Sequence, residues 1–194
     1  KRIAVVTDST SNLPPDLMES FEIDVIPMNV HWGSETYLDG VTIDGETFYR
    51  WLKEREDFPQ TSQPSAGEFM DFFRQVAERH ATDTILGIFV SAELSGTLTS
   101  AHLAKQALPE LNLEIVDSRS FSMGLGFQVM VAAQAVNDGL PLDAVVQRRI
   151  AYGRILRRER DFRLRTQCCD RRAQFVRRMR GKTAFRIERV TDSQ

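Results

Sequence analysis

Three hydroxyl-rich turns follow apolar runs in this 194-residue chain: Asp8-Ser9-Thr10, then Ser91 with Ser95-Gly96-Thr97, then Asp117-Ser118 with Ser120 and Ser122. A fourth hydroxyl loop, Thr61-Ser62-Gln63, precedes a helix start. Neutral donors gathered at helix starts suit one carboxylate or phosphate, because the free N–H groups and the dipole of a helix favour negative charge there. Gly96 lets the backbone come close to such a group. No lysine or arginine is placed as a phosphate clamp, and Arg119 is the only basic residue inside these loops. That balance favours a carboxylate. Ser, Thr and Asp also collect at such turns simply as caps, and Ser95 as an N-cap would explain its own turn with no ligand.

The elements around these turns set where they point. Residues 3–7, 23–32, 85–90 and 113–116 are short runs rich in Ile and Val, each read as a strand, with Pro27 suggesting an edge or a bulge in the second. Pro14-Pro15 opens a short helix, since proline fits a first helical turn. Asp44 caps a helix from about Gly45 to Glu56, and Tyr37-Leu38-Asp39-Gly40 reads as a turn. Ser65-Ala66-Gly67-Glu68 has capping-box spacing, and the helix it opens carries Phe69, Phe72, Phe73 and Val76 on one core-facing stripe. Further helices are expected near residues 98–108 and 122–137, the latter ended by Gly139, and from Pro141 onward. The alternation predicts an α/β fold, a parallel sheet with helices on both faces. In such a sheet all strand carboxyl ends lie along one edge, so the hydroxyl turns can converge.

Other chemistries find little support. There is no G-x-S-x-G elbow, no Walker A sequence and no G-x-G-x-x-G after a strand. His31, His80 and His102 have no metal spacing and read as surface or helix-face residues, so no metal and no cofactor is expected. Asp8 lacks the second Asp of an aspartyl nucleophile, because Thr10 stands there. Cys168 and Cys169 are adjacent, which suits neither an ordinary disulfide nor a zinc site. With strand-like residues 3–7 at the amino end and no apolar run long enough to span a bilayer, the expected location is cytoplasmic.

Taken together, Val6-Thr7-Asp8-Ser9-Thr10, Tyr37-Leu38-Asp39-Gly40-Val41, Thr61-Ser62-Gln63-Pro64-Ser65, Leu94-Ser95-Gly96-Thr97 and Asp117-Ser118…Ser122-Met123-Gly124-Leu125-Gly126 resemble the DegV family in order and spacing, over roughly residues 2–145. The resemblance implies a bacterial fatty-acid-binding protein that buries the acyl chain between an α/β domain and a second α/β lobe. It implies a carrier that presents the carboxylate to a separate fatty acid kinase and has no turnover of its own. By position, Thr61 and the Ser91–Gly96 turn, with Ser95, would hold the carboxylate, Ser62 and Ser122 lying nearby and Asp8, Ser9 and Asp117 supporting the loops. The family often has a second serine where Ala92 stands here. Phe89, Phe121, Met123 and Phe127 are the apolar pocket candidates, though each also suits plain core. An enzyme acting on a carboxylated or phosphorylated substrate, with Asp8 or Asp117 as acid–base, is the alternative.

A division falls near residue 146. Residues 1–146 hold 9 Lys+Arg against 22 Asp+Glu, whereas residues 147–194 hold 16 against 5. The first part is an acidic α/β domain. The second is arginine-dense and departs from the family pattern, which supplies a site-closing histidine there; none follows His102. It is expected to be a shortened or altered remnant of the second lobe, or a replacement for it, and in that case the pocket is incomplete. Its arginines could contact phosphates, but no aromatic interleaving or nucleic-acid module accompanies them, so nucleic acid is not the expected partner.

Overall fold

Four strands form a parallel sheet in the order β2-β1-β6-β7, with β1 at Ala4–Asp8, β2 at Ile23–Ile26, β6 at Thr84–Phe89 and β7 at Asn112–Asp117. These positions come from a computed structural model that describes residues 2–149. The readings placed on residues 150–194 lie outside the described residues. The strands are apolar in near-continuous runs because both sheet faces are covered. Alternate residues divide between two cores. Val5, Leu86, Ile88 and Val116 pack with Leu125, Val129 and Ala132 of α5 (Met123–Asn137). Val6, Ile85, Phe89 and Ile115 face Phe69, Phe73 and Val76 of α3 (Ala66–His80), together with Leu98 and Ala101 of α4 (Thr97–Ala107). Phe72 is only partly buried beside them. Gly87 makes room for this second core: a Cβ there would lie 2.5 Å from the Phe89 ring.

The expected caps are present. Ser65 and Glu68 close a reciprocal capping box on α3, and Asp44 accepts from the Thr47 N–H to start α2 (Gly45–Glu54). Pro15 opens α1 (Pro15–Ser20), Gly139 follows α5 at φ +78°, and residues 142–149 are helical.

One part of the architecture departs from expectation. The run 23–32 is not a single strand: it breaks at Pro27, and its second half, β3 (Asn29–Trp32), belongs to a separate antiparallel sheet. In that sheet β3 is central, flanked by β4 (Glu35–Leu38) and β5 (Gln60–Ser62). The supposed turn at Tyr37-Leu38 is therefore strand, and so is the supposed loop at Thr61-Ser62. Proline cannot donate to a ladder, which ends pairing with β1. Gly33-Ser34 then closes a two-residue hairpin, with Gly33 at φ +62°. Trp32 and Val30 pack with Tyr37, Phe48, Trp51 and Leu52 in a third, smaller core, where the Arg55 guanidinium lies 3.9 Å from the Trp51 ring centroid.

Candidate functional site

The chain leaves β1 for β2 on one side and later enters β6 and β7 on the other, so the strand order reverses between β1 and β6. Open α/β sheets bind ligands beyond the strand carboxyl ends at such a point. Asp8 ends β1 there and is fully buried. Its Oδ2 accepts from the Val90 N–H at 2.8 Å, which ties the carboxyl ends of β1 and β6 together. Its Oδ1 accepts from the Thr10 N–H and the Thr10 hydroxyl. Burial pushes the Asp8 carboxyl above the ordinary value, opposed by these hydrogen bonds. With both oxygens engaged, Asp8 orders the loop it starts.

Specific bonds join several of the neighbouring loops. The Ser9 hydroxyl donates to Asp39 Oδ2 at 2.7 Å and accepts from the Met28 N–H at 3.0 Å. The Ser91 N–H donates to the Ser120 carbonyl at 3.0 Å, and Asn12 Nδ2 donates to the Ser122 hydroxyl at 3.0 Å. The Gln63 side chain lies against Gly96, where an added Cβ would come within 2.9 Å of Gln63 Nε2. The loops after β1, β6 and β7 therefore meet, as the parallel sheet requires, and the loop after β5 of the antiparallel sheet packs against the α4 turn.

Within this group the residues differ in role. Ser91 is buried, and its hydroxyl accepts from the Glu93 N–H at 3.3 Å. Gly96, not Ser95, occupies the N-cap position of α4, without a side-chain cap; the Ser95 hydroxyl accepts from the Thr97 N–H at 3.3 Å and shares a 2.8 Å bond with the Thr97 hydroxyl. Ser122 adopts φ +54° and ψ −146°, a region that favours glycine. Asp117 accepts from the Arg119 N–H at 2.7 Å, an Asx turn that shapes the β7–α5 loop. That loop is also braced from below: Gln128 Nε2 donates to the Ser118 and Gly124 carbonyls, while Arg149 Nη1 donates to Gln128 Oε1 and the Asp117 carbonyl.

Thr61 and Ser62 do not act side by side. The β3–β5 register sets Thr61 opposite Val30 and Ser62 opposite Asn29, so alternation sends their side chains to opposite faces. Ser62 lies on the His31 face, its hydroxyl 2.8 Å from His31 Nε2, while Thr61 is exposed. His31 was expected as a plain surface residue, and its place between Ser62 and Thr36 is new. The signal available was β-alternation through Asn29-Val30-His31-Trp32 followed by Gly-Ser. His80 is likewise buried at the end of α3, its Nε2 2.6 Å from Asp24 Oδ2.

The apolar candidates separate too. Phe89 is core with no exposure, Phe121 packs partly against the α5 core, Met123 is half-buried, and Phe127 is 41% exposed. Leu94, beside Ser95, is 61% exposed. A cleft of about 190 Å³ lined by Arg2, Phe21, Glu22 and His80 opens at the amino edge of the sheet, away from the hydroxyl loops. Among the described residues no cluster of His, Cys, Asp or Glu could hold a metal ion, and no helix is long and apolar enough to cross a membrane.

A doubly wound α/β domain with convergent hydroxyl loops at its switch point is thus the class that fold and site define. The chain belongs to the DegV family, whose profile, described as "uncharacterised protein, DegV family", matches residues 2–152. A DegV domain-containing protein of Listeria monocytogenes is 36% identical over 148 residues, covering 76% of this chain and 52% of the relative. A Thermus thermophilus DegV family protein, solved as a fatty-acid-binding structure, superposes with a TM-score of 0.71 at 35% identity, covering 79% of this chain and 54% of that one. DegV of Bacillus subtilis, described as a fatty acid binding protein, gives 0.73 at 29% identity over 79% and 54%. The chain spans about half the length of the relatives it matches.

Proposed function

We propose that this chain binds a long-chain fatty acid non-covalently, holds its carboxylate among the converging loops, and presents it to a partner kinase without turnover of its own. The observation that carries the reading is the set of bonds that gathers the hydroxyl loops after β1, β6 and β7 at the β1/β6 switch point, with Gln63 of the Thr61-Ser62-Gln63 loop lying against Gly96, in a fold shared with fatty-acid-binding relatives. Thr61 and the Ser91–Gly96 turn, including Ser95, are assigned to the carboxylate. Ser62 and Ser122 lie nearby, and Asp8, Ser9 and Asp117 hold the loops. A carboxylate suits donors with no lysine among them, since neutral hydroxyls and N–H groups hold one charge without a cation clamp.

The energetics divide between head and tail. Burying an acyl chain contributes about 0.8 kcal/mol per CH₂ before costs, while a charged hydrogen bond contributes roughly 1.5–3 kcal/mol. The tail therefore dominates affinity, and the hydroxyls fix which end points to the loops. Leu94, next to Ser95 in the chain, and Phe127 on α5 are exposed and are assigned to the apolar path. The division near residue 146, with residues 147–194 as an arginine-rich remnant of, or replacement for, the second lobe, belongs to the same proposal.

Mass spectrometry of the organic extract from purified, denatured protein tests it, with Thr61→Ala prepared alongside. A stoichiometric fatty acid in the wild type, reduced in the variant, is the expected result. An empty wild-type protein that is otherwise folded overturns the reading.

A further inference from the structure

The chain between β5 and α3 is held on both sides of Gln63. Ser62 pairs with Asn29 in the small sheet, Pro64 is buried, and the Ser65 N–H donates to Glu68 Oε2 at 2.7 Å in the capping box. A residue before proline is confined to the extended region, so strand alternation carries on past Ser62 and puts Gln63 on the Thr61 face, away from His31. Its side-chain amide lies across Gly96: a Cβ on that glycine would be 2.9 Å from Gln63 Nε2 and 3.3 Å from Gln63 Cδ. We propose that the Gln63 amide is a head-group donor that joins Thr61 to the Ser91–Gly96 turn, and that Gly96 is the residue that leaves it room. The inference rests on the fatty-acid reading of the site.

Two features mark this amide as a ligand group. The first is that its donors are uncommitted. Gln63 is exposed and its side chain makes no hydrogen bond among the described residues, whereas Asp8, Ser9, Asn12, Ser118 and Gln128, in and beneath the loops, each engage a protein partner. A primary amide carries two N–H donors and no charge, which matches the neutral donors of the site. The second is its place at the start of α4. Gly96 holds the N-cap position there without a side-chain cap, so a carboxylate held by Gln63 Nε2 meets the positive end of the helix. Gly96 itself has φ −76°, an ordinary value for any residue. The backbone does not demand a glycine at this position; the amide packed on it does.

The test measures oleate and methyl oleate binding to the full chain in wild type, Gln63→Ala, Gln63→Glu, Gly96→Ala and the double variant Gln63→Ala with Gly96→Ala. The ester has the same tail without the charge. Gln63→Ala is expected to weaken oleate binding roughly tenfold or more, the scale of a lost charge-assisted bond, and to leave methyl oleate within about threefold. Gln63→Glu keeps the shape but sets a second carboxylate against the first, so it should lose more oleate affinity than alanine does. Gly96→Ala pushes the amide aside, at little cost to the fold because the displaced atoms end a flexible side chain, and should weaken oleate about as Gln63→Ala does. Since both changes act through one amide, the double variant should bind no worse than Gln63→Ala alone. Thermal melts confirm that each variant folds. If Gln63→Ala binds oleate as wild type does, or loses acid and ester equally, Gln63 donates nothing to the head group and the inference is overturned. It is overturned too if Gly96→Ala keeps its full cost when added to Gln63→Ala. If wild type binds neither probe, the fatty-acid reading itself fails and takes this inference with it.

Discussion

Ser122 holds a conformation that separates what its backbone costs from what its side chain contributes. At φ +54° and ψ −146° it sits where residues other than glycine are strained by roughly 1–3 kcal/mol. Its hydroxyl accepts from Asn12 Nδ2 at 3.0 Å, a bond at the surface expected to contribute roughly 0.5–1.5 kcal/mol. Ser122→Ala keeps the strain and loses the bond, so it should destabilise by about that second amount. Ser122→Gly loses the same bond but relieves the strain, offset by about 0.5–1 kcal/mol of extra chain entropy in the unfolded state. Glycine should therefore be more stable than alanine at this position by about 0.5–2 kcal/mol, the reverse of an ordinary surface site. Urea unfolding of the three proteins, followed by circular dichroism with a common m-value, reads the difference directly. An alanine variant as stable as the glycine variant, or more so, would refute the claim that the β7–α5 loop stores strain at the candidate site.

Other outcomes follow from the same geometry. Gly87→Ala drives a Cβ into the Phe89 ring and towards Ile115, and should destabilise by about 1–3 kcal/mol in the same unfolding assay. Asp24→Ala removes the partner of buried His80 and of Arg79, and should lower stability by roughly 1.5–3 kcal/mol. Asp8 has a carboxyl raised by burial, so between the unfolded value of 3.8 and its folded value the native state holds a proton that the unfolded chain has lost. Its contribution is thus full below that window and falls as pH rises through it. Urea midpoints taken upward from pH 4 should show this decline in wild type, and Asp8→Asn should remove it.

The parallel sheet was legible because both of its faces are buried. Residues 85–90 and 113–116 advertise themselves as apolar runs between turn residues, and Phe69, Phe73 and Val76 mark the helix that covers them. The small sheet was not legible by the same means. Its strands have three or four residues each, and β3 follows Pro27 with apolar character so similar to β2 that the break is hidden. The Gly33-Ser34 hairpin was the available clue. For the candidate site, the convergence of the loops after β1, β6 and β7 could be expected from strand direction alone. What no linear pattern carries is which atoms join them. Asp8 to Val90 and Asn12 to Ser122 span 82 and 110 residues, and the opposite facing of Thr61 and Ser62 depends on a register invisible until β5 is known to pair with β3.

Both tryptophans of the chain, Trp32 and Trp51, lie in the small core between β3 and α2, with the Arg55 guanidinium stacked on the Trp51 ring. Intrinsic fluorescence excited at the indole band is therefore a reporter of that core alone, blind to the parallel sheet 2-1-6-7. Far-ultraviolet circular dichroism is weighted the other way, towards α3, α4 and α5. Recording both signals through one denaturation makes the chain report on its own cooperativity: coincident curves mean that the two sheets melt as one unit, and an earlier fluorescence transition means that β5, with Thr61 and Ser62, can open while the rest of the fold stands.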